Sequence, residues 1–555
     1  MATTVAINEW ITERPYTAAI ILVTVIILPV LTILHNQDDE TAAPKLPSTI
    51  PYVTNTYHYM TNMRTFLDRS RAHLARTSKN ILSFHLTPLI KVYLITSPRH
   101  IQALFRPSLP ISSDKFFHMI YENLWGAPLP DREKFLNDKS GRGKVPLPGY
   151  ENTPPDQRYF AALHAIFHDH LAATAKANML SEKYQEFFGE ELEGRFPLGK
   201  PVVEGVIHLL NTHMANAAIA TVAGKGIMNR WPKLVDWLWE FDKVAAGLVW
   251  GLPRWLNRSA LQTRDSFRDA CGQYVEEVLA SGYDLEGEQA GWEPILGSSF
   301  QREMVRWMKR TGFSKEAIGG SIMVTMLFGT NANSIPVATW CLIEVIKDKS
   351  LLEAVREEVM TTVETDAGTG ARTINLQRLL ALPLLQSIYV ECMRLHVSMN
   401  VTREVTAPLD LSGFKLEKGS LMQAATEISH LDEGVWGDKE HPASEFWAER
   451  HIRYTEETDE KGQLRRVPHF SMAGRQNDWF PYGGGVSICP GRHFAKQEIM
   501  LTTAIIVARF DLELVEWVNK DGSSSSRPAK NDDKYAGAAS VPPDREMKVR
   551  FTRRW

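Results

Sequence analysis

One cysteine of this chain stands in a sequence that suits it to chemistry. Cys489 ends a glycine-rich stretch, FPYGGGVSIC, and is followed by Pro490-Gly491 and a segment with the apolar spacing of a helix. Glycines permit positive φ and close backbone approach, so this loop can hold the sulfur in one place. The helix N-terminus that follows favours a thiolate. A thiolate fixed in this way is a good ligand for a heme iron.

The other cysteines do not indicate comparable chemistry. Cys271, Cys341 and Cys392 are far apart along the chain, and the sequence contains no CxxC pair. This spacing argues against a zinc ribbon and against the disulfide framework of a small secreted protein. We expect these three cysteines to be buried and inert.

A second candidate segment, GTNANS at 329–334, lies within a run with helical spacing over residues 314–347. A single helix of that length would be about 50 Å long. Pro336 lacks an N–H, so the carbonyl of Ala332 loses its helical partner, and the helix should kink or open beside Asn333. An opening would leave a groove beside Asn333 and Ser334 that can hold ordered water. A kink tolerated by packing is the alternative.

The elements that position these residues are mostly helical. The segment KVYLITSPRHIQALF predicts a strand, a turn at Ser97-Pro98 and a helix. FDLELVEW and REMKVRF predict two strands joined by a flexible loop over 521–540. Residues 121–158 are rich in Gly, Pro and charge and predict a long loop. We therefore predict a fold that is mainly α with a small β part.

Composition excludes several classes of protein. The chain has 62 Lys+Arg and 65 Asp+Glu, a formal net charge of −3, and 44% hydrophobic residues. These values are typical of a globular protein rather than a disordered or collagenous one. A chain without a basic excess is not a broadly basic nucleic-acid binder, so we expect no nucleic-acid partner.

The N-terminal region predicts a membrane anchor. Residues 15–34 read PYTAAIILVTVIILPVLTIL and carry no charge, which is enough helix to span a bilayer. A cleaved signal peptide is the alternative, although its apolar core is usually about 7–15 residues long. Three prolines follow in PKLPSTIPYV and make a stiff, extended linker. We predict a single transmembrane anchor within 1–35, a linker over 36–51 and one large domain over 52–555.

The segment YGGGVSICPGRHFA resembles the heme-binding loop of the cytochrome P450 family, whose pattern is Phe-x-x-Gly-x-Arg-x-Cys-x-Gly. Tyr482 stands at the aromatic position, and three residues match the rest of the pattern: Gly485, Cys489 and Gly491. The resemblance implies a cytochrome P450 fold, a heme cofactor and Cys489 as its axial thiolate ligand. Ser487 stands where the family usually has an arginine that pairs with a heme propionate.

Three further segments follow the order of the family. Glu391 and Arg394 lie in LLALPLLQSIYVECMRLH at i,i+3 spacing, on one face of a helix. Arg450 lies in HPASEFWAERHIRY, and the resemblance implies that it joins Glu391 and Arg394 in a buried network. An isolated pair would instead be a solvated bridge of little worth. The third segment, 314–347, resembles the long helix that crosses the heme.

The oxygen side of the site departs from the family pattern. Most members carry an acid followed by a threonine on the central helix, whereas GTNANS places Ala332 and Asn333 there. A register shifted by one would place Asn333 and Ser334 there, and neither register supplies an acid. The first register resembles a branch that includes sterol 7α-hydroxylase, sterol 12α-hydroxylase and prostacyclin synthase. Asparagine cannot lose a proton at neutral pH, so we expect proton delivery through water, Ser334 or the substrate.

The family resemblance suggests several residues that could pair with the heme propionates. The Trp-x-x-x-Arg pattern of the family is absent, and Phe160 and His164 occupy the same spacing. Arg403 lies where members place a propionate-binding arginine after the Glu-x-x-Arg helix. Arg492, directly after Pro490-Gly491, is a further candidate.

The resemblance implies a monooxygenase anchored in the endoplasmic reticulum membrane, with its catalytic domain in the cytosol. NADPH-cytochrome P450 reductase would supply electrons, and one atom of O2 would enter an apolar small molecule. The loop also resembles fungal members of secondary metabolism, which implies a terpenoid, meroterpenoid or steroid-like intermediate. An isomerase that rearranges an oxygenated substrate without a reductase is one alternative, and a non-catalytic heme-binding protein is another.

Overall fold

The computed structural model describes residues 42–555 except 250, 252–254, 288–289 and 459–461. Its described part is mostly helical, with 51% helix and 17% strand, which confirms the prediction of a mainly α fold with a small β part. The chain divides into two compact units. One contains the residues up to Ser113 together with Asn400–Ser429, and the other contains Asp114–Met399 with His430–Trp555.

The first unit is built on a five-stranded sheet. In spatial order its strands are Ile81–Thr87, Ile90–Ile95, Leu421–Ala425, Asn400–Val405 and Ile111–Ser112. Leu421–Ala425 runs parallel to Ile90–Ile95, and the other neighbours are antiparallel. The unit also contains three helices and a hairpin: Thr54–Thr61, Met63–Thr77, Pro98–Leu104, and Leu409–Leu411 with Phe414–Leu416. The short helix Thr426–His430 ends at the start of the second unit.

The predicted strand, turn and helix of the first unit are confirmed. Strand Ile90–Ile95 is followed by helix Pro98–Leu104, whose N-cap is Ser97. The Ser97 hydroxyl accepts a hydrogen bond from the His100 N–H at 3.2 Å. A capping serine followed by proline in the first turn is a favoured start for a helix.

The N-terminal anchor predicted over 15–34 lies outside the described residues. Among the helices of residues 42–555 that the structure describes, none is long and apolar enough to cross a membrane. The described end of the proline-rich segment pairs with strand Ile81–Thr87. Leu46 N–H donates to the Ser83 carbonyl at 2.8 Å, and Ser83 N–H donates to the Pro44 carbonyl at 2.7 Å.

The second unit is predominantly helical. Its α-helices are Asp114–Met119, Leu129–Asn137, Tyr159–Phe167, Thr174–Arg195, Val206–Leu209, Ala215–Ala223, Lys225–Arg230, Leu234–Val249, Arg258–Ala280, Ser299–Arg310, Lys315–Ser321, Gly329–Asn331, Ser334–Ile346, Lys349–Met360, Leu376–Leu379, Pro383–His396, Glu433–Trp436 and Arg492–Arg509. Four π-helical stretches continue some of them: Ile120–Leu124, His168–Ala172, Leu210–Met214 and Ile322–Phe328. Short 3-10 turns lie at Pro155–Gln157, Gly485–Ser487 and Asp533–Tyr535.

The small β part of this unit includes both strands predicted near the C-terminus. Phe510–Val518 pairs antiparallel with Glu546–Arg553 in a four-stranded sheet completed by Ser524–Ser525 and Pro201–Gly205. The other strands form three two-stranded ribbons: Trp292–Glu293 with Gly297–Ser298, Val363–Thr365 with Arg372–Ile374, and Ile452–Thr458 with Leu464–Phe470. The sequence between the two C-terminal strands, predicted as a loop, contains only short elements.

The prediction of a loop over 121–158 is wrong for the first part of that range. Residues Leu129–Asn137 form a helix, and irregular chain follows it from 138 to 154. Phe135 of this helix is 2% exposed and stacks on Tyr121 with ring centroids 4.4 Å apart. Aromatic packing therefore orders a stretch whose composition alone is typical of a loop.

The helix predicted over 314–347, hereafter the central helix, is opened in the middle, as Pro336 predicts. It starts at Lys315, where the Ser314 hydroxyl accepts from the Ala317 N–H at 3.1 Å. After the short turn Gly329–Asn331 the helix is interrupted at residues 332–333 and resumes as Ser334–Ile346. The opening beside Asn333, predicted from the missing N–H of Pro336, is thus confirmed.

Candidate active site

The loop that carries Cys489, hereafter the cysteine loop (480–491), is held in shape by its own backbone. Cys489 N–H donates to the Tyr482 carbonyl at 3.0 Å, and Gly483 N–H donates to the Phe480 carbonyl at 2.9 Å. Gly483 and Gly485 have φ of +70° and +64°, in the left-handed region that glycine adopts without strain. The backbone of Cys489 is therefore fixed at the end of a closed loop.

Gly491 and Arg492 join this loop to the cysteine helix, Arg492–Arg509. Gly491 has φ of −78°, and a Cβ at this position would contact the Cys489 sulfur at 3.9 Å. The backbone conformation at position 491 thus does not require glycine, but the lack of a side chain there leaves space beside the Cys489 sulfur. The Arg492 guanidinium donates to the Cys489 carbonyl at 3.1 Å, which ties the first turn of the helix to the loop.

Cys489 differs from the other cysteines in its exposure. The other three are buried and at most 2% exposed, as predicted: Cys271, Cys341 and Cys392. Cys489 is partly exposed. Burial of its thiol group nevertheless raises the pKa of Cys489, while the Gly491 and Arg492 N–H groups and the Arg492 guanidinium oppose that rise. The helix N-terminus therefore lowers the pKa of the Cys489 thiol, as predicted, but by less than burial raises it. A metal ion bound to the sulfur would complete its deprotonation.

Tyr482, at the aromatic position of the loop pattern, pairs with a second tyrosine. The hydroxyls of Tyr482 and Tyr389 lie 2.7 Å apart. Burial raises the pKa of both hydroxyls, so both stay neutral. Tyr389 belongs to helix Pro383–His396. A phenylalanine at position 482 could not make this hydrogen bond between the cysteine loop and that helix.

Glu391 is the centre of a buried ionic cluster. Its Oε1 lies 2.8 Å from Arg394 Nε and its Oε2 lies 3.0 Å from Arg450 Nε, with all three side chains fully buried. The predicted three-membered network is confirmed. His451, whose Nε2 lies 3.1 Å from Glu391 Oε1, is a fourth member that sequence reasoning missed. Burial raises the pKa of Glu391, but hydrogen bonds from Arg394 and His451 outweigh burial and hold that pKa well below its usual range.

The same cluster is linked to the cysteine loop by hydrogen bonds to the backbone and through the His430 ring. Arg394 donates to the His430 carbonyl at 2.8 Å, and Arg450 donates to the Pro442 carbonyl at 3.0 Å. The His430 ring accepts in turn from the Phe480 N–H at 3.3 Å, at the first residue of the cysteine loop. Because each arginine binds both a carboxylate and backbone carbonyls, the cluster fixes the chain on which the loop rests.

The central helix is buried between Ala317 and Ile346 except along one stripe. The residues of this stripe recur about every four positions: Val324, Thr325, Phe328, Gly329, Thr330, Ala332 and Asn333. This spacing places them on one face of the helix. These residues are partly or fully exposed whereas the rest of the helix is buried, and their side chains are mostly small or apolar.

Asn333 and Ser334 differ in their surroundings at the helix break. Asn333 is exposed, and its Oδ1 accepts from the Ser540 N–H at 3.3 Å. Ser334 is 4% exposed, and its hydroxyl donates to the Thr330 carbonyl at 2.9 Å. The three residues at the break are Ala332, Asn333 and Ser334. They supply one amide and one hydroxyl group and no carboxylate.

A cavity of about 310 Å³ lies against the cysteine loop. Four of its lining residues carry basic groups: Arg142, His164, His168 and Arg492. His164 and Arg492 were predicted as partners of heme propionates, and the structure brings them to one cavity. A cluster of basic side chains beside the cysteine loop is suited to bind an anionic group.

Arg142 is the member of this cavity that sequence reasoning missed. Its Nη1 lies 3.4 Å from the Ser487 hydroxyl, and its Nη2 lies 2.7 Å from Asp114 Oδ1. Its guanidinium lies 4.0 Å from the ring centroid of Phe117 and 4.9 Å from that of Phe160. An arginine from a distant segment therefore stands beside the serine that replaces the arginine of the loop pattern. Tertiary folding alone brings positions 142 and 487 together, so no local sequence pattern indicates this contact.

Arg403 lies in the first unit, on strand Asn400–Val405. Its Nη1 donates to the Thr402 carbonyl at 2.9 Å. The other predicted site residues belong to the second unit: Asn333, Ser334, Tyr482, Gly485, Cys489, Gly491 and Arg492. The role of Arg403 toward a propionate stays a prediction from sequence.

The donor set of the second unit fits a heme. Cys489 is the cysteine that retains exposure, and it ends a loop that fixes its backbone. The basic cavity beside it matches the negative charge of two propionates. The partly exposed, mostly apolar face of the central helix is suited to contact an apolar macrocycle.

Comparison with known proteins gives the family. The pattern of the family described as Cytochrome P450 matches residues 237–530. The chain is 44% identical over 483 residues to cytochrome P450 monooxygenase calL of Penicillium decumbens, covering 87% of this chain and 88% of the relative. It is 30% identical over 425 residues to cytochrome P450 monooxygenase efuG of Hormonema carpetanum, covering 72% and 74%.

A more distant similarity is to one member of the predicted branch. The chain is 26% identical over 371 residues to cytochrome P450 7A1 of Sus scrofa, covering 63% of this chain and 66% of the relative. This relative is a sterol 7α-hydroxylase. The family uses a heme with an axial cysteine thiolate, O2, a small-molecule substrate and a redox partner reductase. The chain therefore belongs to the cytochrome P450 family, as a fungal-type heme-thiolate monooxygenase.

Proposed function

We propose that this monooxygenase oxygenates a terpenoid, meroterpenoid or steroid-like intermediate of secondary metabolism. The observation that carries this proposal is the open face of the central helix, where Val324, Phe328, Gly329 and Ala332 offer apolar surface. Such a face suits a large apolar substrate with few polar groups. The distant similarity to a sterol 7α-hydroxylase supports the same substrate class.

Cys489 would hold the heme iron through its thiolate, and Arg142, His164 and Arg492 would pair with the heme carboxylates. Bound heme supplies an iron that activates O2, with thiolate donation favouring O–O cleavage, so that one oxygen atom enters the substrate and the other leaves as water. The closed cysteine loop holds the sulfur still, and the Glu391 cluster supports that loop.

The ligand assignment can be tested by spectroscopy. Cys489→Ser should abolish the Soret band of the ferrous–CO complex that is typical of thiolate ligation. Cys271→Ala is the matched control, since Cys271 is fully buried on another helix, and this variant should keep the band. A Cys489→Ser protein with an unchanged band would contradict the assignment.

Asn333 would orient water or substrate in the groove at the helix break. Its carbonyl oxygen is engaged by Ser540, so the amide nitrogen can donate into the groove. Asn333→Ala should lower kcat about tenfold and leave KM within about twofold, because the lost interaction acts on the reaction more than on binding. Unchanged kcat would make Asn333 a packing residue.

The electrons would come from NADPH-cytochrome P450 reductase, two for each oxygen inserted. The predicted anchor at 15–34 would hold the protein on the endoplasmic reticulum membrane, with its catalytic domain in the cytosol beside that reductase. The apolar substrate would also partition into this membrane.

The proposed function can be tested in the producing organism. Inactivation of this chain alone should cause a precursor to accumulate, and mass spectrometry of extracts should identify it. A precursor with less oxygen or more hydrogen than the lost product supports oxidation and reveals the substrate class. A precursor with the same mass as its product would instead support an isomerase.

A further inference from the structure

Asp242 is an acid that lies one residue from a contact with the central helix. It belongs to helix Leu234–Val249 and is partly exposed. Phe241, which precedes it, is fully buried, and its ring meets the ring of Phe328 edge-on with centroids 5.2 Å apart. Phe328 is part of the partly exposed, mostly apolar face of the central helix. Helix Leu234–Val249 therefore packs beside that face.

The side of the helix that carries Asp242 is turned toward the protein. Trp239, three positions earlier on the same side, donates its ring N–H to the Asn211 carbonyl at 2.7 Å. Burial raises the pKa of Asp242 to about 6, because a charged carboxylate loses hydration in such surroundings. The helix thus brings one ionisable group to an otherwise apolar part of the molecule.

The partner of this carboxyl comes from the segment between the two C-terminal strands. Tyr535 ends the 3-10 turn Asp533–Tyr535, and its hydroxyl forms a hydrogen bond with the Asp242 carboxyl. Five residues later, the Ser540 N–H donates to Asn333 Oδ1 at 3.3 Å, at the break of the central helix. The same segment therefore reaches both the helix break and Asp242.

The charges around this pair leave the Asp242 carboxylate able to accept a further hydrogen bond. Burial raises the pKa of Tyr535 to about 12, so its hydroxyl is neutral and can donate. Lys243 opposes the rise of the Asp242 pKa, but its side chain is exposed to solvent. Asp532, which also raises the pKa of Tyr535, forms an ion pair with Lys520. A carboxylate has about four acceptor positions, and Tyr535 fills one of them.

We propose that Asp242 and Tyr535 recognise a hydroxyl group of the substrate, remote from the carbon that is oxygenated. The substrate O–H donates to the Asp242 carboxylate, and Tyr535 holds that carboxylate in position. This inference rests on the proposed function and narrows it, because the terpenoid, meroterpenoid or steroid-like intermediate then bears a hydroxyl group. A substrate with a carboxylate at this place would be repelled by Asp242.

The binding preference for an alcohol over its ether tests this recognition. Holoprotein would be titrated with the precursor purified from the organism in which this chain is inactivated, and separately with the O-methyl ether of that precursor. The shift of the heme Soret band on binding gives each Kd. Wild type should bind the alcohol about tenfold or more tightly, because the ether has no proton to donate. Equal Kd values, or a precursor without a hydroxyl group, would overturn the proposal.

Variants of the pair separate hydrogen bonding from shape. Asp242→Leu should lose most of the preference, because leucine accepts no hydrogen bond, whereas any steric cost of the methyl group remains. Asp242→Asn should recover part of it through the amide oxygen. Tyr535→Phe should weaken the preference by releasing the carboxylate. Asp236→Leu is the matched control, since Asp236 is exposed on the same helix, and it should keep the wild-type ratio of Kd values.

The outcomes distinguish this inference from the proposed function. If wild-type holoprotein does not oxygenate the precursor, the proposed function fails. If it does, while Asp242→Leu keeps the wild-type ratio or Asp236→Leu loses it equally, only the recognition by Asp242 fails. Should Asp242→Leu fail to fold, Asp242→Asn and Tyr535→Phe decide the question. An unchanged ratio in both of these variants would overturn the proposal.

Discussion

Glu391 and Glu498 are both almost completely buried, on helices that pack against each other. They differ in the number of basic side chains that contact the carboxyl group. Glu391 is bound by Arg394, Arg450 and His451. Glu498 has no comparable partner within the described part of the chain. As a result the pKa of Glu391 is lowered and that of Glu498 is raised.

The difference shows how neighbouring charges set the protonation of a buried acid. A carboxylate with two arginines holds its charge and fixes backbone, which suits the base of the cysteine loop. A carboxyl without a cation holds its proton at neutral pH. The number of cationic partners, rather than the depth of burial, decides which role each acid can take.

The largest expected effect is on the Glu391 cluster. Glu391→Gln leaves two buried guanidiniums without their carboxylate and should lower the free energy of unfolding by about 3–5 kcal/mol. Urea unfolding followed by tryptophan fluorescence would measure it. Glu449→Gln is the control, because Glu449 is exposed and contacts Tyr454 at 3.3 Å, and it should cost less than about 0.5 kcal/mol. Equal losses in the two variants would remove the distinction between the cluster and the surface.

Glu498 predicts a pH effect of opposite sign to that of Glu391. An unfolded glutamate with the ordinary pKa of 4.5 loses its proton above that pH, whereas folded Glu498 keeps its proton up to about pH 8. The folded state then binds one more proton, so stability falls as pH rises through this window. Relative to Glu498→Gln, wild type should lose about 1.4 kcal/mol for each pH unit, measured as the difference between their unfolding free energies. A constant difference across the window would show that Glu498 is charged.

His451 predicts the smallest effect. Removal of its ring as His451→Leu should cost about 1 kcal/mol, because Glu391 keeps both arginines. The same unfolding assay applies. A loss as large as that of Glu391→Gln would mean that His451 carries charge in the cluster, contrary to burial, which lowers its pKa.

Local sequence rules predicted much of the fold. The strand and helix around Ser97-Pro98, the two C-terminal strands and the opening beside Asn333 follow from alternation, capping and the missing N–H of Pro336. Helix Leu129–Asn137 was missed because its stability comes from Phe135 packing on Tyr121, not from its own composition. Composition reports local preference, and tertiary packing overrode it there.

The site residues likewise fall into those that a local pattern predicts and those that only tertiary folding brings together. Cys489, Tyr482 and Gly485 share one loop, so their spacing could be read directly from the chain. Arg142 reaches Ser487 from a distant segment, and no local pattern links the two positions. Glu498 lies within the segment that carries the loop pattern, but an isolated acid on a helix is usually solvated. Its burial and missing partners became visible only in three dimensions.

Turnover with labelled oxygen distinguishes an oxygenase from an isomerase directly. Purified holoprotein would be supplied with the accumulated precursor, NADPH, NADPH-cytochrome P450 reductase and isotopically labelled molecular oxygen. A monooxygenase should give a product that contains one labelled oxygen atom and forms only when NADPH is present. An unlabelled product of unchanged mass, formed without NADPH, would contradict it.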